Sequence, residues 1–294
     1  MSNLKEIEIQ NLDHLGIIAG IIDSIGLVEI INALIGQKAG EKVSPGHVVK
    51  AMILNGLGFV SSPLYMFPEF FQDKPCEHLI GKGVKAEYLN DDKLGRVMDK
   101  LFIKGLPEIF LAISSQVIKE FNISLKSSHL DSTSLHLHGE YNTSLPNVIF
   151  PKSNSSDSQI SSAQAIEITS GYSRDHRHDL KQFVIDLISS GDGDIPIFLK
   201  SASGNQSDSS SFAKIFLSYQ EQIEKSEITN EDNLMVADAA LYNAKNINSL
   251  SGIKWLSRVP MTIGVAKELV STLLLPDFIS NIKHSNAVNG DLDF

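Results

Sequence analysis

Apolar residues in the first 125 positions recur at steps of three and four, the spacing of amphipathic helices. Helix-start signals accompany this spacing, because Ser44 stands before a proline and Asn90 stands before a later apolar stripe. Gly26 interrupts one stripe, and the last stripe runs from about Leu106 to Phe121. The pattern predicts an all-helical N-terminal domain over residues 1–125.

From residue 126 onwards the apolar and β-branched residues form short runs bounded by Gly, Ser, Asn, Asp or Pro, which is typical of strands. One helix is predicted from Ser207 to about Lys225, because apolar residues recur there at helical spacing after a Ser-Asp start. The predicted order is three strands, a helix, a strand, a helix and a strand. The strands are predicted at His129–His138, Ala165–Thr169, Ile195–Lys200, Asn233–Ala237 and Lys254–Val259, with a Ser-rich loop at Asn142–Ser162. The fold class is therefore α+β or α/β, with a helical domain followed by a mixed sheet in residues 126–294.

Composition and charge narrow the class of protein. With 294 residues, 42% of them hydrophobic and 20% charged, the chain can bury two cores, which excludes a disordered protein. The single cysteine, Cys76, cannot form an intramolecular disulfide, so nothing in the sequence requires an oxidising compartment. The N-terminus lacks the features of a signal peptide, and charged residues interrupt the most apolar stretch, Gly16–Gly36. We therefore expect a cytoplasmic protein with no membrane partner.

Two aspartates are candidates for metal-dependent chemistry. Asp131 lies inside a predicted strand, and Asp238 ends another predicted strand just before a helix. Taken alone, Asp131 is more simply a solvent-facing residue and Asp238 a helix cap. Two carboxylates brought together from two strands repel each other unless a hard cation lies between them, which predicts Mg²⁺, with Mn²⁺ as its substitute. Such a site suits in-line attack on a phosphodiester.

A basic segment, residues 171–182, carries Arg174, Arg177 and Lys181 as donors suited to phosphate. A polar hairpin or surface loop is the equally simple interpretation. The net charge of -10 gives no general attraction to nucleic acid, so DNA binding would depend on local clusters of this kind. Residues 204–208 form a turn into a helix whose free amides can face an anion, although helix capping alone explains them.

Histidines offer an alternative interpretation. Five of the nine lie in the middle of the chain, and His136 and His138 would face the same side of a strand, where they can bind zinc. No third ligand is fixed by spacing. A metal hydrolase unrelated to DNA therefore stays a minor alternative.

Taken in order, these motifs resemble the transposases of bacterial insertion sequences, which have a ribonuclease H-like core and a catalytic Asp, Asp, Glu triad. The matching segments are Asn11–Ile17, Val48–Phe59, Leu130–Ser134, Gly171–Arg177, Asp179–Gln182, Gly204–Asn205 with Asp208, Ala237–Tyr242 and Ser257–Pro260. The resemblance implies that Asp131 and Asp238 are the first two triad carboxylates and metal ligands. It also implies DNA as partner, both the element's ends and the target, and a possible homodimer. From the matched motifs we add Asn205 and Arg258 to Arg174, Arg177 and Lys181 as expected DNA-binding residues.

Two departures from the family pattern bear on activity. His178 stands where the family commonly has proline. The family's third acid is a glutamate within a Tyr, Arg, Glu, Lys signature, and Glu268, the only glutamate after Arg258, lacks that context. We therefore expect an incomplete ribonuclease H-like core, truncated at the C-terminus, that does not cleave DNA by itself. The alternative is a non-catalytic remnant that binds DNA or a partner protein.

Overall fold

The computed structural model describes residues 9–58, 62–141, 165–173, 176–225 and 233–272, with the side chains of residues 208–210 and 225 left out. Its N-terminal part is helical, as predicted. The helices of this part are α1 (Leu15–Ile25), α2 (Leu27–Ile35), α3 (Pro45–Leu57), α4 (Phe67–Phe70), α5 (Cys76–Leu79), α6 (Asp91–Lys104) and α7 (Leu106–Phe121).

The predicted helix boundaries follow from local capping. The Ser44 hydroxyl accepts a hydrogen bond from the backbone N–H of His47 at 3.3 Å, at the start of α3. The Asn90 side chain accepts one from the N–H of Lys93 at 2.9 Å, at the start of α6. Gly26, with φ of 71°, adopts the left-handed conformation that separates α1 from α2.

The second part of the chain is a mixed five-stranded sheet with helices, so the protein has an α+β fold. The strands are β1 (Ser127–Leu137), β2 (Lys181–Ser190), β3 (Pro196–Ser203), β4 (Leu234–Ala237) and β5 (Trp255–Ser257), in the order β3-β2-β1-β4-β5. The first three strands pair antiparallel, whereas β4 pairs parallel with both β1 and β5. The helices are α8 (Asp208–Lys225) between β3 and β4, α9 (Ala244–Ser249) between β4 and β5, and α10 (Gly264–Thr272) after β5. The predicted order of strands and helices is confirmed.

The predicted position of the second strand is wrong. Residues 165–169 contribute only an isolated bridge between Thr169 and Gln182, and the strand is Lys181–Ser190. Three of the five residues that this strand buries are polar, namely Gln182, Asp186 and Ser190. Because the inward positions are polar, the apolar alternation that marks a strand is weak in the sequence. The predicted loop Asn142–Ser162 lies outside the described residues.

One face of the sheet packs against α8. Phe212, Phe216 and Tyr219 of this helix are buried against strand residues that include Leu130 and Ile188. The Tyr219 hydroxyl lies 3.3 Å from the Ser128 hydroxyl of β1, which fixes the helix to the strand that carries Asp131. Burying a large apolar side chain contributes roughly 1.5 to 3 kcal/mol, so this layer holds the central strands in place.

Helix α7 takes part in two hydrophobic cores. Ile109 near its start packs with Ile22 and Ile31 of the helical region, and Ile118 near its end packs with the sheet core. The Ser114 hydroxyl between them donates to the carbonyl of Pro196 on β3 at 3.4 Å. The division into domains at residue 125 stays a prediction.

Among the described helices none is by itself long and apolar enough to cross a membrane; two bent pairs reach that length and composition only together.

Candidate functional site

Asp131 and Asp238 lie on neighbouring parallel strands. The register of β1 and β4 ends with the pair Leu130 and Ala237, and each aspartate is the next residue along the chain, Asp131 within β1 and Asp238 directly after β4. Asp238 keeps an extended backbone, with φ of -70° and ψ of -176°. Neighbouring strands lie about 4.8 Å apart, so the two residues occupy adjacent positions at the carboxyl end of β4.

Both carboxylates belong to the face of the sheet opposite α8. Leu130 and Ala237 are buried, and alternation along a strand turns the next residue to the other side. Asp131 and Asp238 are indeed exposed. The sequence prediction that their strands are adjacent is therefore confirmed.

Local hydrogen bonds hold one oxygen of each carboxylate. The Oδ1 atom of Asp131 accepts from the N–H of Ser132 at 2.9 Å. The Oδ1 atom of Asp238 accepts from the N–H of Ala240 at 2.8 Å, so Asp238 does cap a short 3-10 helix. In the part of the chain that the structure describes, neither Oδ2 atom accepts a hydrogen bond. Each carboxylate thus combines a fixed orientation with one oxygen available to a ligand.

A buried carboxylate that the sequence analysis missed supports this site from the α8 side. Asp186 on β2 is 0% exposed and accepts from the Ser132 hydroxyl at 2.6 Å and from the Gln206 amide at 2.9 Å. It therefore ties the residue after Asp131 to the turn that leads into α8. Its position at an inward site of a partly polar strand is the signal that could have identified it.

In the basic segment, two of the predicted phosphate donors already have hydrogen-bond partners within the protein. Arg177 makes two hydrogen bonds to Asp179, from Nε at 2.8 Å and from a terminal nitrogen at 2.7 Å. The hydrogen bonds from Arg177 lower the pKa of Asp179 to about 2, and the same contact raises the pKa of Arg177. Lys181 donates to the carbonyls of Glu140 and Tyr141, the latter at 2.7 Å. Arg174 lies outside the described residues.

Two glycines bring the segment that begins at Gly171 against the turn at Gly204. A Cβ atom on Gly171 would overlap the carbonyl oxygen of Gly204, and one on Gly204 would overlap the carbonyl oxygen of Gln182. The Gln182 side chain, 2% exposed, donates to the carbonyls of Tyr172 at 3.1 Å and Gly204 at 2.8 Å. Two motifs that are distant in sequence thus meet at one end of β2, with Asn205 exposed in the turn.

The remaining predicted residues lie around β5. Arg258 is exposed directly after this strand, and Glu268 is exposed on α10. The hydroxyl of Ser257 donates to the backbone carbonyl of Asp238 at 2.7 Å, which links β5 to the aspartate pair. Within the described ranges, no three His, Cys, Asp or Glu side chains group in a way that could hold a metal ion.

The histidines of the middle region have other contacts. His136 Nε2 lies 3.0 Å from the hydroxyl of Ser173, whose oxygen also accepts from the N–H of Arg177 at 2.9 Å. His176 and His178 lie with ring centroids 6.4 Å apart. The described residues thus offer no support for the zinc hydrolase alternative.

One family model matches most of the helical part of the chain, and its description names no role. A family model described as "Domain of unknown function (DUF4277)" matches residues 7–115. No curated protein matches the chain.

Among solved structures, the chain is similar to a Mos1 transposase paired-end complex with left transposon end, at 7% identity over 75% of this chain and 59% of that one. It is also similar to a pre-cleavage Mos1 transpososome at 9% identity over 75% and 60%, and to a Mos1 mariner paired end complex with Mn at 8% identity over 86% and 78%. The TM-score is 0.28 in each case, too low to carry a functional argument. The chain spans about three fifths of the first two proteins.

Proposed function

We propose that this chain is a DNA-binding protein of the insertion-sequence transposase type, with Asp131 and Asp238 as ligands of a divalent metal ion. The observation that carries the proposal is their adjacent position on one exposed face, one residue beyond the last paired positions of β1 and β4. The motifs at Leu130–Ser134 and Ala237–Tyr242, which resemble that family, contain the same two aspartates.

The donor set fits Mg²⁺ or Mn²⁺, because hard divalent cations prefer carboxylate oxygens. A cation held there supplies Lewis-acid activation of a hydroxyl and stabilises charge on a phosphodiester. The protein contributes the orientation: backbone amides fix one oxygen of each carboxylate, and Ser257 and Asp186 hold the flanking strands. Burial of Asp186 on the opposite face makes it a positioning residue and not a ligand.

DNA is the proposed partner, both the element's ends and a target, with a homodimer and a cytoplasmic location as further parts of the proposal. Arg258 and Asn205 are exposed, and Lys181 lies at the start of β2, next in the sheet to the strand of Asp131. Arg177 is a weaker phosphate donor than its charge suggests, because Asp179 already accepts hydrogen bonds from two of its three guanidinium nitrogens.

We further propose that residues 1–294 do not cleave DNA by themselves. The support is that Asp131 and Asp238 have no third carboxylate grouped with them in the described part of the chain, where Glu268 lies exposed on α10. Loss of one electrostatic contact to a transition state typically costs about 100- to 1,000-fold in rate. A chain that binds metal and DNA without cutting is the expected result.

Binding of Mn²⁺ to the purified chain, followed by electron paramagnetic resonance, tests the metal site. Removal of a residue that only hydrogen-bonds to a metal ligand typically lowers metal affinity about 10- to 100-fold. Asp131 and Asp238 are proposed as ligands themselves, so we expect Asp131→Asn and Asp238→Asn each to lower Mn²⁺ affinity by at least this factor. Asparagine keeps the hydrogen bonds to Ser132 and Ala240, so the fold is preserved.

Two controls make the result specific. Asp99→Asn changes an exposed carboxylate on α6 and should leave Mn²⁺ binding unchanged, and Glu268→Gln tests whether α10 supplies a ligand. Equal Mn²⁺ affinity in the wild type and both site variants would refute the metal site. The alternative interpretation, a non-catalytic protein that binds DNA or a partner protein, would then remain. Mn²⁺-dependent cutting of DNA with element ends, abolished by Asp131→Asn, would refute the proposed inactivity.

A further inference from the structure

A groove of about 690 Å³ lies between α6 and the turn that precedes α3, far from the aspartate pair in sequence. Its wall on α6 carries Lys93, Arg96 and Lys100, whose spacing of three and four places them on one helix face. The facing turn contributes Lys38 and Lys42, both exposed. Five cationic side chains therefore line one concave surface.

Three acidic residues also line the groove, and two of them are already paired. Glu41 lies 3.3 Å from the ammonium group of Lys93, and Asp92 lies 3.4 Å from the guanidinium of Arg96. The third, Glu87, is exposed. With five cations against three anions, the groove has a positive balance.

The positive balance comes from Lys38, Lys42 and Lys100, and the exposed Glu87 offsets part of it. Among the described residues no carboxylate lies within 4.0 Å of the ammonium group of Lys38, Lys42 or Lys100. Lys100 donates to the carbonyl of Gly36 at 3.2 Å, and Lys42 lies over the ring of Tyr88 at 4.7 Å from its centroid. These contacts hold two of the lysines in the groove, and Glu41 offsets part of the charge of Lys100 through a longer-range electrostatic interaction.

The chain as a whole has a net charge of -10, so a surface with a local excess of positive charge is a departure that points to an anionic ligand. Lys93 and Lys100 lie about 10 Å apart along α6, at 1.5 Å per residue. A DNA strand carries one phosphate per about 3.4 Å of axis, so a surface of this length meets several phosphates of a duplex. A single small phosphate ligand would contact only part of this surface.

We propose that this groove binds the phosphate backbone of duplex DNA, with Lys38, Lys42 and Lys100 as the main contacts. The inference rests on the proposed function for DNA as the partner, and it adds a second contact surface in the region that matches the domain of unknown function. The contact is with phosphates only, so it carries no sequence preference.

Duplex binding by the full chain, measured by fluorescence anisotropy over a range of salt concentrations, tests the groove. Lys38→Gln with Lys42→Gln should weaken binding to all sequences alike and reduce the slope of log affinity against log salt by about 0.9 per lost contact. The matched control is Lys82→Gln with Lys119→Gln, which removes two exposed positive charges elsewhere on the same helical region. Arginine at positions 38 and 42 should restore the wild-type slope, which separates charge loss from misfolding.

The outcomes distinguish this inference from the proposed function. If the wild-type chain binds duplex DNA and the groove variant keeps the slope of the control variant, the groove inference is refuted while the proposed function stands. Binding to single strands alone also refutes it, whereas binding to neither form refutes both the groove and DNA as the proposed partner. The Mn²⁺ measurement is made without DNA, so it judges the aspartate site whatever the groove does.

Discussion

The pair formed by Arg177 and Asp179 shows how two neighbouring residues change each other's chemistry. Two hydrogen bonds from the guanidinium lower the pKa of the Asp179 carboxyl from 3.8 to about 2. We expect an NMR titration of that carboxyl to give a midpoint near 2. The lowered pKa means that the pair stabilises the fold above pH 3.8 and loses this contribution as the pH falls towards 2.

The matched variant is Arg177→Gln, which removes the guanidinium and should return the Asp179 titration towards 3.8. A midpoint that stays near 2 in this variant would mean that another group holds the carboxylate ionised. The sequence analysis identified Arg177 as a phosphate donor from its residue type, but a carboxylate two positions away takes the same nitrogens. Only the turn geometry of residues 177–179 decides between these partners.

The secondary structure elements were predicted where local physics determines them. Helices α3 and α6 begin at side chains that cap them, so the chain itself carries the signal. Strand β2 was misplaced because its inward positions include Gln182 and Asp186, whose burial is made favourable by partners on β1 and in the turn before α8. The same holds for the aspartate pair: sequence suggested two carboxylates at strand positions, but their register depends on pairing between residues over 100 positions apart.

The close contact between the end of β2 and the turn before α8 predicts that alanine at Gly204 destabilises the protein, whereas alanine at an unhindered helical glycine does not. Gly204→Ala places a methyl group against the backbone carbonyls of Gln182 and Thr169, which cannot move independently, so we expect a loss of about 1 to 3 kcal/mol in the free energy of unfolding. Gly20→Ala is the matched control in α1, where no atom lies within 4 Å, and it should gain roughly 0.5 to 1 kcal/mol. Urea unfolding measures both. Equal effects of the two substitutions would show that Gly204 is not closely packed.

The two halves of the molecule share helix α7, and this determines how they should unfold. Its start packs into the helical core through Ile109, its end packs into the sheet core through Ile118, and Ser114 contacts β3 between them. A boundary at residue 125, predicted from a change in sequence pattern, would leave the whole helix in the first domain. The packing instead makes the stability of each core depend on the order of the same helix.

We therefore expect one cooperative unfolding transition. Trp255 is the only tryptophan and packs on the sheet core, so its fluorescence reports on the sheet, while circular dichroism at the helix band reports mainly on the helices. The two midpoints should coincide, and Ile109→Ala, which removes about 2 to 5 kcal/mol of packing in the helical core, should shift both together. Ile118→Ala is the counterpart at the other end of α7 and should do the same. If Ile109→Ala shifts only the dichroism transition and leaves the tryptophan transition in place, the halves fold independently and the predicted boundary at residue 125 is the correct description.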